Sequence, residues 1–331
     1  MASERNLLET RTPELRILDR VRGVKPRRGD CYTFDVRRLI VNADDLGMTA
    51  GVNRAIRECH AEGVVTSATL MANGPAFQDA VGVAQSALTL SVGCHVVLVD
   101  GAPILPPASI PSLLAPARDQ SGRFPDSISA VATRAVLHRL DPDQLVREIV
   151  AQVQKIQGAG LTVTHLDTHK HAHIFPQVLA ALAKAARICG VRAIRNPFVP
   201  LIAMHVRQFR NRPILWKRYG QVRVLRRFAA RFQERMKQAD LVTPDGIVGV
   251  IETGEIDGSL LREALSRLPE GTWELVCHPG YDDADLRSVN TRLLESREYE
   301  RQVLTSASFG QFLSDEGIQL ISYADLAGEP R

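Results

Sequence analysis

The chain has 331 residues, and its 45% hydrophobic and 24% charged residues are ordinary globular values that exclude a disordered, collagen-like or coiled-coil protein. Its 41 Lys and Arg residues against 37 Asp and Glu leave a net charge of +4, which by itself indicates no nucleic-acid partner. Because no apolar run approaches about 18 residues and the charged N-terminus lacks the apolar stretch of a signal peptide, we expect a cytoplasmic protein. The five cysteines are widely spaced without a CxxC motif, which disfavours a disulfide framework or a cysteine zinc site.

Two segments differ in their hydrophobic pattern. Residues 1–36 mix Arg, Glu, Pro and Gly without sustained periodicity, which predicts a flexible N-terminal extension. From residue 37 to residue 331, short apolar runs alternate with helical patterns, which predicts one α/β domain.

The apolar runs of this domain predict eight strands, at residues 38–43, 64–72, 90–99, 161–169, 191–195, 246–251, 273–278 and 318–322. Helices are predicted between most of them, including one capped by Thr49 and others over 75–87, 141–160 and 176–190. A Pro-rich stretch after the third strand opens the longest irregular connection, which reaches about residue 134. Strands of nearly continuous apolar character that alternate with helices indicate a parallel sheet, and seven or eight such units fit a barrel better than two domains.

Ionisable side chains are concentrated at the ends of these predicted strands. In parallel α/β folds the carboxyl ends of the strands meet on one face, where the chemistry takes place. Five of the eight strands supply such residues: Asp44 and Asp45, His95, the run His165, Asp167, His169, His171 and His173, then Arg195 and His278. Taken singly, each has a structural explanation: an acidic pair at a helix N-terminus, a hydrogen-bonded core histidine or a solvated histidine-rich edge. Their shared location favours one functional site.

The residue types indicate a metal site. One carboxylate with two neutral imidazoles is a common ligand set for a divalent ion that keeps positions open for water and substrate. A second carboxylate beside the ligand can accept a proton from water, and a more distant histidine can protonate the leaving group. We therefore predict a metal-assisted hydrolase of an acyl or a phosphoryl bond, between which the residue types do not choose.

Six motifs carry a family resemblance: IVNADDLGMTAGVNRAI, GVVTSATLMANGPAFQDAV, VGCHVVLVDGAPI, THLDTHKHAHIFPQVL, RAIRNP and ELVCHPGYDD. Together they resemble the YdjC-like carbohydrate deacetylases, which include a chitooligosaccharide deacetylase and a hopanoid-biosynthesis deacetylase. The resemblance extends from residue 38 to about residue 325. It implies that residues 37–331 form a deformed (β/α) barrel of seven to eight mostly parallel strands, related to the polysaccharide-deacetylase barrel, that removes N-acetyl groups from an amino sugar and releases acetate.

The same resemblance implies roles for eight residues. The metal ligands are Asp45, His95 and His169, the general base is Asp44, and the general acid is His278. Arg195 orients Asp44 or binds substrate, and Asp167 and His171 support the ligands or contact the substrate. The implied cofactor is one divalent ion, magnesium, with zinc as the alternative.

A strongly basic segment lies outside these motifs. Residues 206–237 contain eleven Lys and Arg residues with interleaved apolar side chains, and Glu234 is their single acidic residue. This pattern fits either a solvated surface helix or a helix on an anionic membrane surface. Nucleic acid is not expected, because no binding motif accompanies the charge.

Three functions remain open at this point. The enzyme deacetylates a soluble oligosaccharide, it deacetylates a lipid-linked N-acetylglucosaminyl substrate of the hopanoid type, or the fold binds carbohydrate without turnover. The expected partners are an N-acetylated amino sugar, an anionic membrane surface through residues 206–237, and a second copy of the chain in a homodimer. The lipid-linked alternative corresponds to a peripheral location on the inner membrane surface.

Overall fold

A ten-residue strand, β1 (Arg37–Leu46), lies at the centre of the sheet and is buried from Leu39 onward. It pairs with β7 (Gly271–Cys277) along one edge, and with β8 (Ile318–Ile321) and then β2 (Ser67–Leu70) along the other. The computed structural model describes residues 36–116, 122–200, 213–250, 253–254 and 258–328. The predicted N-terminal extension, apart from residue 36, lies outside these ranges.

The remaining strands are β3 (Ser91–Val96), β4 (His165–Thr168), β5 (Ala193–Ile194) and β6 (Gly246–Val248). The order across the sheet is β5-β4-β3-β2-β1-β7-β6, with β8 beside β1, and every pairing is parallel. All eight predicted strands are therefore present. The sheet curls without full closure: near its open edge, β5 touches the chain before β6 through a single parallel bridge between Ala193 and Val242. The predicted deformed barrel is confirmed as a curled half-barrel.

Helices connect most of the strands. They are α1 (Ala50–Ala61), α2 (Phe77–Ser86), α3 (Ile128–Val136), α4 (Pro142–Gly158), α5 (Pro176–Ile188), α6 (Pro213–Leu225), α7 (Ala229–Gln238), α8 (Gly258–Ser266), α9 (Ala284–Ser288), α10 (Glu295–Thr305), α11 (Ala307–Asp315) and α12 (Tyr323–Gly328). Thr49 caps α1 as predicted, since its side chain accepts a hydrogen bond from the Val52 amide. Helix α3 lies in the stretch predicted to be irregular, and it begins where Ser127 caps the Ala130 amide.

The described part of the basic segment is helical, as predicted. Helices α6 and α7 are joined by a 3₁₀ turn over Arg226–Phe228. Leu215, Phe232 and Met236 are buried, whereas most of the basic side chains are exposed. None of the helices in the described ranges is long and apolar enough to cross a membrane.

Successive residues of β1 face two different environments, because side chains alternate along a strand. Leu39, Val41 and Ala43 join the main hydrophobic core. Ile40 packs with Tyr323 in a second, smaller cluster on the opposite face. That second face, the inside of the curled sheet, continues into polar side chains toward the carboxyl end of the strands.

Candidate active site

Buried polar side chains cover the inside of the sheet near the carboxyl ends of the strands. They come from alternate positions of five strands: Asn42, Asp44, Thr69, His95, His165, Asp167 and Glu274, and each is at most 2% exposed. Because a buried polar group without a hydrogen bond costs free energy, these side chains are expected to bond to one another. Thr69 illustrates the network, since its hydroxyl lies within 3.3 Å of oxygens of Asp44 and Asp167 and 3.2 Å from His95 Nδ1.

A bulge in β1 brings two adjacent carboxylates into the site. Ala43 pairs with Ala68 but Leu46 pairs with Leu70, so β1 has one residue more than β2 between these points. Asp45 adopts a left-handed backbone conformation there, with φ of 69°. Neighbouring residues of a regular strand would point to opposite faces, and a bulge redirects one of them. Both Asp44 and Asp45 therefore reach the same polar site.

Arg195, directly after β5, is fully buried among the carboxylates of Asp44, Asp167 and Glu274. Its Nη1 and Nη2 donate to the two oxygens of Asp44 at 2.8 and 2.6 Å. Its Nη1 also lies 2.5 Å from Asp167 Oδ2, and its Nε donates to Glu274 Oε1 at 2.9 Å. Burial alone would raise the pKa of Asp44, but the adjacent Arg195 guanidinium holds this pKa well below its usual range. Asp44 is therefore an oriented, ionised carboxylate.

Three potential metal ligands form a compact triangle. Asp45 Oδ1 lies 3.5 Å from His95 Nε2 and 3.3 Å from His169 Nδ1, and the two histidine nitrogens are 3.2 Å apart. Asp45 Oδ1 is buried and has no hydrogen-bond partner. Ligand atoms that each lie about 2.0–2.2 Å from one ion are separated by roughly these distances. The three atoms fit a divalent ion.

The other ring nitrogen of His95 has its own partner. His95 Nδ1 lies 2.8 Å from Asp167 Oδ1, the kind of carboxylate contact that orients a metal-binding imidazole. Burial lowers the pKa of His95, but the carboxylates of Asp167 and Asp44 outweigh it and raise this pKa to about 9 in the metal-free protein, so an ion that binds Nε2 would displace a proton. Asp44, His95 and Asp167 form a second cluster of potential ligand atoms. Since Arg195 already binds both of its carboxylates, the triangle with Asp45 fits an ion better.

His278 directly follows β7, and its imidazole lies beside the Asp44 carboxylate. Its Nε2 is 3.9 Å from Asp44 Oδ2, and its Nδ1 is 4.0 Å from Glu300 Oε2. Burial lowers the pKa of His278 to about 4, against the opposing effect of the Asp44 carboxylate. The imidazole is therefore neutral near pH 7.

The histidine run after β4 does not continue as a strand. The strand ends at Thr168, and His169–Ile174 form a 3₁₀ turn in which Lys170 and His171 are left-handed, with φ of 54° and 52°. His173 turns back, so that its Nδ1 lies 2.7 Å from the Thr168 hydroxyl. At the start of the run, His165 Nε2 lies 3.1 Å from Asn42 Oδ1. His165 and His173 thus support the surrounding structure.

Seven of the eight predicted site residues belong to one network of direct contacts: Asp44, Asp45, His95, Asp167, His169, Arg195 and His278. The eighth, His171, borders this network. Its Nδ1 is buried without a hydrogen-bond partner, and burial together with the nearby Arg195 lowers its pKa to about 3.

Six further residues complete the network but were not predicted from the sequence: Asn42, Thr69, Glu274, Arg297, Glu300 and Tyr323. A signal for two of them exists in the pattern of α10. Arg297, Glu300 and Leu304 fall on one buried face of that helix, at spacings of three and four residues. Ionisable residues at core-facing positions of a helix therefore mark a candidate buried network.

Comparison with known proteins agrees with this architecture. A family model described as YdjC-like protein matches residues 38–315. The chain belongs to the YdjC-like family. A carbohydrate deacetylase of Brevibacillus brevis is 33% identical over 295 residues, which cover 87% of this chain and 99% of the relative. A carbohydrate deacetylase of Geobacillus stearothermophilus is 32% identical over 295 residues, covering 87% of this chain and 98% of the relative.

A solved structure supports the fold. The crystal structure of an Enterococcus faecalis protein, provisionally described as a cellobiose-phosphate cleavage protein, superposes with a TM-score of 0.69 at 25% identity and covers 88% of this chain and 99% of its own. The predicted membership in the YdjC-like carbohydrate deacetylases is therefore confirmed, together with the barrel fold that it implied.

Proposed function

We propose that this carbohydrate deacetylase removes the N-acetyl group of an amino sugar by a metal-dependent hydrolysis that releases acetate. The observation that carries the proposal is the triangle of Asp45 Oδ1, His95 Nε2 and His169 Nδ1 beside the Asp44–His278 pair. The carbohydrate deacetylases related to the chain supply the substrate class.

Asp45, His95 and His169 would hold the ion. A divalent ion bound there would polarise the acetyl carbonyl and lower the pKa of a water molecule. The family resemblance implies magnesium. Two imidazoles with one carboxylate are a donor set that suits zinc equally well or better, so both ions belong in the test.

Asp44 accepts the proton of the attacking water in this proposal. Arg195 keeps the Asp44 carboxylate oriented and ionised through two parallel hydrogen bonds. The same contact lowers the pKa of Asp44, so the carboxyl group releases the accepted proton to solvent after the step. Asp167 orients the ligand His95 and the arginine that binds Asp44, because it contacts both His95 Nδ1 and Arg195.

His278 donates a proton to the departing amine nitrogen. Its Nε2 lies 3.9 Å from Asp44 Oδ2, a separation that supports an acid and a base acting on the same substrate group. We assign the substrate contact at the border of the site to His171, whose Nδ1 is buried and unpartnered. A carbohydrate-binding protein without turnover would not need both an acid and a base beside the ligand triangle.

A second candidate substrate is an amino sugar linked to a membrane lipid of the hopanoid type. Seven cations of α6, α7 and the turn between them are exposed and form no ion pair with any residue in the described ranges: Lys217, Arg223, Arg226, Arg227, Arg231, Arg235 and Lys237. Trp216, Val224 and Phe228 expose apolar surface on the same segment. Uncompensated cations with apolar neighbours suit an anionic membrane surface, and hence a peripheral cytoplasmic location.

The deciding experiment is acetate release from two kinds of substrate. Soluble N-acetylated oligosaccharides and vesicle-bound N-acetylglucosaminyl lipids are each incubated with enzyme that has been stripped of metal and reloaded with Mg²⁺ or Zn²⁺. Asp44→Asn serves as the inactive control. We expect acetate release from at least one substrate when one of the ions is present, and no acetate release after chelation. A folded, metal-loaded enzyme that releases no acetate from any of them contradicts the proposal. Light scattering of the same preparation tests the predicted homodimer.

A further inference from the structure

Glu300 lies against His278, at the ring nitrogen opposite the one that faces Asp44. It belongs to α10 and is 1% exposed. Its Oε2 accepts a hydrogen bond from the His278 backbone amide at 2.5 Å and lies 4.0 Å from His278 Nδ1. The imidazole therefore stands between two carboxyl groups, those of Asp44 and Glu300.

Two buried polar atoms at this contact have no partner. Glu300 Oε1 and His278 Nδ1 are both enclosed by protein and make no hydrogen bond. Unsatisfied buried atoms are rare in native proteins, and a catalytic role is one of their recognised explanations, beside strain and an ordered water or ion. Shortening the 4.0 Å separation by about 1 Å would produce a hydrogen bond, and hydrogen bonds of catalytic groups are often long before substrate binds.

We propose that Glu300 is a positioning residue that acts through His278. It holds a proton between turnovers and passes this proton to His278 Nδ1 while His278 Nε2 protonates the amine. This inference rests on the deacetylation proposed above. When the C–N bond breaks, its electron pair stays on nitrogen, and the nitrogen takes the proton from His278 Nε2. His278 Nδ1 takes the carboxyl proton of Glu300 in the same step. The imidazole remains neutral, Glu300 becomes a carboxylate, and Asp44 holds the proton taken from water, so the charge is balanced. Asp44 then releases its proton to solvent, and Glu300 takes one from solvent.

The electrostatic surroundings agree with this storage. Burial raises the pKa of Glu300 to about 7, whereas burial lowers that of His278 to about 4. A proton held by the pair near neutral pH is therefore on the carboxyl group of Glu300. The groups that face Glu300 are the backbone amide and ring of His278, Arg297 on the same helix, Asp44 and Asp45 of β1, Cys59 of α1 and Cys277 of β7.

The test compares the pH dependence of kcat/KM in two glutamate variants. Glu300→Gln keeps an oxygen for the His278 amide but has no carboxyl proton. Glu148→Gln is the matched control, because Glu148 is also fully buried and accepts backbone hydrogen bonds, from Ile104 and Leu105. We expect wild type and Glu148→Gln to lose activity above about pH 7. Glu300→Gln should lack this inflection and lose about 10- to 100-fold in kcat, with KM and metal content unchanged.

Two results would overturn the inference. One is an inflection near pH 7 in Glu300→Gln together with a kcat within twofold of wild type. The other comes from ¹⁵N NMR of the His278 ring, which needs neither substrate nor turnover. The ring shifts of wild type should respond to a titration near pH 7, and their failure to do so contradicts proton storage on Glu300. If wild type releases no acetate but its His278 ring shows this titration, the proposed deacetylation is wrong, whereas the proton shared by Glu300 and His278 is supported.

Discussion

Arg297 Nη2 donates to Asp45 Oδ2 at 2.6 Å, while the other oxygen of Asp45 faces His95 and His169 without a hydrogen bond. Burial would raise the pKa of Asp45, but the Arg297 guanidinium and the contact with His169 hold this pKa well below its usual range. One buried arginine therefore keeps the carboxylate ionised and leaves a single Asp45 oxygen free to bind the proposed ion.

Arg297→Lys should weaken metal binding, because the shorter ammonium group cannot reproduce the guanidinium contact with Asp45 Oδ2. Loss of a residue that orients a ligand typically costs about 10- to 100-fold in metal affinity, which calorimetric titration of the stripped protein measures. Arg287→Lys is the control, since Arg287 pairs with Asp282 at the surface. Equal affinities in the two variants would show that Arg297 does not orient the ligand.

His95→Ala and His169→Ala should each lose the ion and the activity, because each removes one of the three proposed ligands. The fold should persist, since both residues lie at the carboxyl ends of strands, outside the main hydrophobic core. Elemental analysis and circular dichroism measure the two effects, with the exposed His138→Ala as control. Full metal occupancy in both ligand variants would remove them from the ligand set.

The adjacent carboxylates should separate into two behaviours. Asp44→Asn is expected to retain metal yet lose about 10²- to 10⁴-fold in rate, the usual scale for removing a general base. Asp45→Asn should instead weaken metal binding. Metal content and single-turnover rates of the two variants are compared directly. An exchange of the two behaviours would exchange the proposed roles.

Glu274→Gln should change how stability depends on pH. Burial raises the pKa of Glu274 from 4.5 to about 7, so between these values the native protein binds a proton that the unfolded chain has released. Protonated Glu274 therefore stabilises the folded state below pH 4.5, and this contribution to the free energy of unfolding is lost as the pH rises toward 7. Glutamine stays neutral and can still bond to Arg195 and to the Tyr323 hydroxyl. The variant should therefore gain about 3 kcal/mol relative to wild type over this range, at about 1.4 kcal/mol per pH unit.

Urea unfolding of chelator-treated protein at several pH values between about 4.5 and 7.5 measures this difference. The exposed Glu270→Gln is the control, for which we expect a small and constant difference. If the free energies of unfolding of Glu274→Gln and wild type differ by the same amount at every pH, Glu274 is ionised throughout this range.

The basic helices should bind anionic vesicles. Each cation near such a surface contributes about 1 kcal/mol, so four engaged side chains suffice for measurable association, which added salt should weaken. Replacing Arg223, Arg226, Arg227 and Arg231 with Gln should abolish co-sedimentation with anionic vesicles but spare turnover of a soluble substrate. A control with the same change in charge replaces the exposed Arg57, Lys184, Arg187 and Arg192 with Gln. If wild type and the Arg223, Arg226, Arg227 and Arg231 variant sediment equally with the vesicles, the basic helices form a solvated surface. A soluble oligosaccharide is then the favoured substrate.

The sequence by itself determined the strands, the main helices and seven of the residues that meet in the site. Continuous apolar runs mark strands that are buried on both faces, and polar residues at the ends of such runs mark the edge where parallel strands converge. Thr49 and Pro176 likewise mark helix starts through local hydrogen bonding and a fixed φ. These signals lie within a few residues of the elements that they specify.

Only the tertiary structure decided which atoms bind to one another. Arg297 and Asp45 are 252 positions apart, and their contact depends on how α10 packs against the end of β1. The left-handed turn at Lys170 and His171 separates His169 from His173, which supports the structure through the Thr168 hydroxyl. The bulge in β1 turns two neighbouring aspartates toward one site, through a change in pairing with β2. Local patterns specify that a side chain is buried, whereas the partner that compensates its charge is set by the packing of distant segments.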